Sequence, residues 1–128
     1  MSNNIQTIPV SGSGVASIFI AGSTHAAYTQ NILVTVNGNN QEPVSHTFNG
    51  SGENVPFKNP FAKGSVKLPA TIVYTFTYSS GGGYNPAPRS QQAELYNTPT
   101  IQLYSVTSED ATDNDDNDSS MILHVLKH

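Results

Sequence analysis

The chain contains no cysteine and no tryptophan. Without thiols there is no disulfide framework, no thiolate metal site and no cysteine nucleophile. Charge is scarce too. Asp, Glu, Lys and Arg make up 11% of the residues, against about 25% in an ordinary soluble domain. No apolar run approaches the ~18 residues that a membrane-spanning helix needs, so no membrane insertion is expected. Residues 1–10, MSNNIQTIPV, have neither a basic start nor a long apolar stretch, so no secretory signal is expected. No route of export or cellular location is legible. Five basic residues against nine acids leave a net charge of -4. That balance speaks against a nucleic-acid binder working through phosphate contacts.

What is present is glycine and proline, 10 and 8 residues scattered along 128. Helix interiors exclude both, so a helical bundle is disfavoured. The length fits one domain over residues 1–128 with a modest core. At 36% apolar and 9% aromatic residues that core is thin, and a partner subunit or a bound ion would reinforce it.

Apolar alternation with period two recurs along the chain. In residues 71–78, Ile72, Tyr74, Phe76 and Tyr78 form one face and Thr71, Val73, Thr75 and Thr77 the other. β-branched and aromatic residues in that pattern predict a strand with a core-facing side. Residues 30–37 carry Ile32, Val34 and Val36 on one face, and residues 15–20 carry Ala16, Ile18 and Ile20. Residues 100–106 and 120–127 are further candidates, with weaker ones at 5–10, 43–49 and 91–96. Asn37-Gly38-Asn39-Asn40 is a hairpin signal. Asn49-Gly50-Ser51-Gly52 and Ser80-Gly81-Gly82-Gly83 read as flexible connections, and Pro86 and Pro88 as a loop. The fold class predicted is all-β, an antiparallel β-sandwich of about eight or nine strands.

The acids are unevenly placed. Residues 1–108 balance to +1, whereas residues 109–128 balance to -5. Six of the nine acids stand in Ser108-Glu109-Asp110-Ala111-Thr112-Asp113-Asn114-Asp115-Asp116-Asn117-Asp118. The plain reading is a solvated acidic loop. Against it, Thr and Asn, themselves oxygen donors, separate the carboxylates, and the run leads straight into the apolar strand Met121-Ile122-Leu123-His124-Val125-Leu126. Two carboxylates ~4 Å apart repel by ~1 kcal/mol in water and by more when buried. A folded loop holding several needs a counter-cation. All-oxygen donors with no Cys favour calcium, which takes 6–8 hard ligands in irregular geometry. Asp113-x-Asp115-x-Asn117 matches the start of an EF-hand, but Asp118 stands where glycine is needed and His124 where glutamate is needed. Glu109, Asp113, Asp115 and Asp118 carry four negative charges, which two calcium ions balance.

Residues 108–118 closely resemble the calcium loop of the bacterial two-calcium fucose/mannose-binding lectins of the PA-IIL (LecB) type. The spacing of Glu109, Asp113, Asp115, Asn117 and Asp118 is similar to that family's ligand pattern. Thr7-Ile8-Pro9, Phe19 and Ala21-Gly22-Ser23-Thr24 resemble its first strands and sugar-contacting loop. The resemblance implies a β-sandwich that forms homodimers or homotetramers and binds mannose- or fucose-containing glycans through two calcium ions. It implies that Glu109, Asp113, Asp115, Asn117 and Asp118 are ion ligands and that Ala21 adds its backbone carbonyl. It also implies that the His128 carboxylate reaches the partner subunit's site, and that Gly22, Ser23, Thr24 and Asp110 face the sugar. Gly22 lacks the hydroxyl that fucose-preferring members tend to carry there, which implies mannose binding at least as strong as fucose binding. The chain departs from the family pattern at Ala21, where Asn is usual, at Asp116, where an aromatic is usual, and at His128, where Gly is usual.

Catalysis is not expected. No Gly-x-Ser-x-Gly motif and no Ser/His/Asp set occurs. His124 and His128 lie ~13 Å apart on a strand, too far to share an ion. The alternative to a lectin is a structural or adhesin β-sandwich that calcium stabilises and that ignores monosaccharides.

Overall fold

The computed structural model describes residues 3–110 and 118–128. Among these are nine strands, all in antiparallel pairings, and no helix. They are β1 (Ile5–Val10), β2 (Val15–Asn37), β3 (Val44–Pro56), β4 (Phe61–Lys67), β5 (Ala70–Ser79), β6 (Asn85–Pro86), β7 (Arg89–Asn97), β8 (Ile101–Glu109) and β9 (Ser119–Lys127). The hydrogen-bonded path runs β1-β5-β2-β9-β8-β7, with β3 and β4 on β2 and β6 on β5. The two ends of the path meet. Gln6 on β1 donates to the Ser90 hydroxyl on β7 at 2.9 Å, and that hydroxyl donates to the Asn3 carbonyl at 2.6 Å. The sheet is therefore nearly closed on itself.

The long β2 organises the molecule. Its first half pairs with β9 on one side and β4 on the other, and its second half pairs with β5 and β3. The sequence pattern suggests two strands here, at 15–20 and 30–37, but the chain runs through. No proline interrupts residues 21–29, and Gly22 lets the backbone press against Met121 and the Ser120 carbonyl, where a Cβ would collide with both.

Two further differences have similar causes. Residues 49–52 read as a flexible connection yet lie inside β3. Register shifts against Ala26 and the left-handed Gly52 (φ 111°) mark a bulged stretch, the usual place for glycine in a ladder. β4 has no apolar alternation and gives no strand signal. Its Val66 alone is fully buried, and pairing with β2 holds the rest. Asn85–Pro86 reads as loop and forms a two-residue edge pairing with β5, a position proline tolerates.

Elsewhere the expected faces turn inward. Ile32, Val34, Val36, Ile72, Tyr74, Phe76, Ala16, Ile18 and Ile20 join Val106, Met121, Leu123 and Val125 in one buried cluster. Each large apolar side chain there contributes roughly 1.5–3 kcal/mol. Tyr74 is the exception in kind. Its ring is fully buried, its hydroxyl has no hydrogen-bond partner, and burial pushes its phenol well above the usual range. An unpaired buried hydroxyl costs about 1–3 kcal/mol. Tyr74→Phe should therefore raise the melting temperature by several degrees. A lower melting temperature would mean that the hydroxyl has a partner.

Candidate metal and sugar site

The acidic cluster is built by the β8–β9 hairpin. The two strands pair down to Ser108 opposite Ser119, and the chain between them is tied at its mouth. The Asp118 N–H donates to the Ser108 carbonyl at 3.0 Å, and the Asp110 N–H donates to Asp118 Oδ2 at 2.8 Å. On the β2 side, the His25 N–H donates to the Asp118 carbonyl at 3.0 Å. Asp118 is thus gripped from both flanking strands, and its carboxylate turns inward.

Glu109, Asp110 and Asp118 each offer a carboxylate oxygen, all within 4.8 Å of one another. The three residues are 2%, 5% and 2% exposed, so solvent does little to screen them. Arg89 on β7 approaches Glu109 Oε2 at 3.7 Å but is itself half exposed. Among the described residues, one guanidinium stands against three carboxylates, which leaves a negative excess. Burial pushes the Asp118 carboxyl up to about 6; hydrogen bonds from Glu109 and the Asp110 backbone oppose the rise, and the Asp110 charge adds to it. The buried hydroxyls of Thr24 and Ser108, which lie opposite Ser119 on either side, have no hydrogen-bond partner among the described residues. A concentrated set of hard oxygens with too little positive charge suits a hard divalent cation such as calcium.

The structure brings Glu109, Asp110 and Asp118 together. Asp113, Asp115 and Asn117 lie outside the described residues. The sugar-loop candidates run along β2 beside β9, with Thr24 opposite Ser119, Ser23 opposite Ser120, Gly22 opposite Met121 and Ala21 opposite Ile122. Thr24 is fully buried. Ser23 is half-buried, and its hydroxyl is 3.0 Å from His25 Nε2. Ala21 is three positions along β2 from Thr24, on the order of 10 Å. His128 lies at the far end of β9 from Asp118. Its N–H donates to the Val15 carbonyl at 3.0 Å, and its ring nitrogen is 2.8 Å from the Ser17 hydroxyl.

Three residues at the site carry no motif: His25, Arg89 and Gln30. Gln30 is 2% exposed. Its amide donates to Asp110 Oδ2 at 2.9 Å, and its carbonyl accepts from the Ser119 hydroxyl at 3.1 Å. One signal could have found it, because Gln30 stands on the same face as Ile32, Val34 and Val36. A polar residue in register with a buried face needs a partner inside. Groups that orient ligands typically change metal affinity 10–100-fold. Gln30→Val should therefore weaken calcium binding by about tenfold or more in a titration, while the chelated protein still folds. Unchanged affinity would leave Gln30 as core packing only.

The model of the fucose-binding lectin II (PA-IIL) family matches residues 7–127. A comparison with curated proteins finds no match. Among solved structures, the fold is similar to that of the Chromobacterium violaceum lectin CV2L, solved with alpha-methyl-fucoside (23% identity, 97% of this chain and 96% of that one, TM-score 0.57). It is similar as well to the Ralstonia solanacearum high-affinity mannose-binding lectin (23% identity, 97% and 96%, TM-score 0.58). A third similar fold is the C-terminal domain of the BC2L-C lectin from Burkholderia cenocepacia (18% identity, 92% and 92%, TM-score 0.53).

Proposed function

Because this chain belongs to the PA-IIL family of calcium-dependent fucose-binding lectins, and so is a carbohydrate-binding protein rather than an enzyme, we propose that it binds mannose- and fucose-type monosaccharides through two calcium ions held at the β8–β9 loop. The buried carboxylates of Glu109, Asp110 and Asp118 carry this reading. In it, Glu109, Asp113, Asp115, Asn117 and Asp118 ligate the ions. Ala21 would add its backbone carbonyl from β2. Adjacent hydroxyls of the sugar complete both coordination shells, and Gly22, Ser23, Thr24 and Asp110 surround the sugar. Affinity for a good monosaccharide is micromolar, about 8 kcal/mol, with mannose bound at least as well as fucose.

The binding unit is a homodimer or homotetramer. His128 is nine positions beyond Ser119 on β9 and its extension, ~30 Å away. Any part it plays at an acidic cluster is therefore at a neighbouring subunit's. Calcium then favours assembly by mass action, and sedimentation should show a larger species with calcium than with chelator. Equal sizes would remove His128 from the site.

Retention on immobilised mannose tests the function. The protein should be held in calcium and released by EDTA or by free mannose. A protein that calcium stabilises but that passes through both mannose and fucose columns would be the structural β-sandwich instead.

A further inference from the structure

Beside the acidic cluster lies an aromatic pair that neither the core nor the ion site uses. The same Gln30 amide that donates to Asp110 Oδ2 at 2.9 Å is 3.2 Å from the Tyr28 carbonyl. Tyr28 is thus two hydrogen bonds from a carboxylate of the cluster. Tyr78 lies directly opposite Gln30 in the β2–β5 ladder, so the two side chains share a face with Cβ atoms ~5 Å apart. The Tyr28 and Tyr78 rings are nearly parallel, 12° apart, with centroids at 5.8 Å. Tyr28 remains 40% exposed.

We propose that Tyr28 and Tyr78 form a second sugar subsite, which takes the ring next to the terminal residue of a neutral glycan. The proposal rests on the lectin reading of the acidic cluster. A terminal sugar held there by its hydroxyls directs its glycosidic link outward, and the next ring must lie on a neighbouring surface. A hexose presents a C–H-rich face, which suits a flat apolar surface, and its rim hydroxyls suit the polar tips of tyrosines. Two tyrosine rings offer no positive charge to the carboxylate or sulfate of an acidic sugar, which makes the occupant neutral.

Calorimetry with calcium present, using mannose and α-linked mannobioses on wild type, Tyr28→Ala and Tyr28→Phe, tests the subsite. At least one mannobiose should bind wild type about tenfold more tightly than mannose does. Tyr28→Ala should lose that gain while its mannose affinity stays within about twofold, and Tyr28→Phe should keep it. Mannobioses that bind wild type no better than mannose, or a gain that survives in Tyr28→Ala, would overturn the proposal. Loss of mannose binding itself in Tyr28→Ala would overturn it too, by making Tyr28 part of the primary site or its support. Wild type that fails to bind mannose at all would instead sink the underlying reading, and the subsite with it.

Discussion

Asp118→Asn should act in opposite directions with and without calcium. The asparagine side chain keeps an oxygen for the Asp110 N–H, which donates to Asp118 Oδ2 at 2.8 Å. It removes one charge from three buried carboxylates whose oxygens lie within 4.8 Å of one another. In chelator, at neutral pH, the variant should therefore melt at or above the wild type, because like charges in a desolvated site destabilise the fold. In calcium the order should reverse. Loss of a charged ligand should weaken calcium affinity by at least about 100-fold, or ~2.7 kcal/mol, and abolish retention on immobilised sugar. A calcium-induced stabilisation equal to that of wild type would remove Asp118 from the ion site. A variant less stable than wild type in chelator would mean that the carboxylates are already neutralised.

Calcium should also invert the pH dependence of stability. Asp118 is pushed up to about 6 by burial, above the ~3.9 of a free aspartate. The native state then holds a proton that the unfolded chain releases. Its stabilising contribution is complete below about pH 4 and is lost as pH rises through about 6. Glu109 and Asp110 share the cluster, and Arg89 at 3.7 Å from Glu109 opposes the trend only from a half-exposed position. The metal-free protein should thus become less stable from about pH 4 to neutral. Calcium requires the deprotonated ligands, so its binding strengthens over the same interval. At calcium 100-fold above its Kd the linkage supplies about 2.7 kcal/mol. That corresponds to ~10 °C in melting temperature for a domain of this size. Melts in chelator and in calcium across this range should have slopes of opposite sign. Parallel slopes would mean that the cluster does not titrate against the ion.

Local chemistry explains which parts of this architecture were readable from the chain. The inward faces of β5 and of both halves of β2 follow from strict alternation, because a half-buried strand repeats every two residues. The acidic loop announces itself by charge crowding, and Glu109, Asp110 and Asp118 do converge. Features set by long-range pairing were not readable. Nothing within residues 61–67 signals a strand, since β4 exists because β2 offers it an edge. Residues 49–52 look like a loop because glycine serves bulges as well as turns. Residues 15–20 and 30–37 look separate because the intervening residues pair with β9 and β3 and carry little apolar pattern of their own. Arg89 and Gln30 reach the cluster from β7 and β2, 20 and 80 positions away from Glu109 and Asp110 respectively. Only the parity of Gln30 within an apolar face hints at a buried partner.

Calorimetric titration of mannose and fucose into the protein, first in calcium and then in EDTA, tests the central claim most directly. Binding at micromolar affinity in calcium, abolished by EDTA and restored by added calcium, is the result expected of a sugar held by ions at the Glu109–Asp118 loop. Sugar binding of equal strength in EDTA, or none in either condition while calcium still raises the melting temperature, would contradict it.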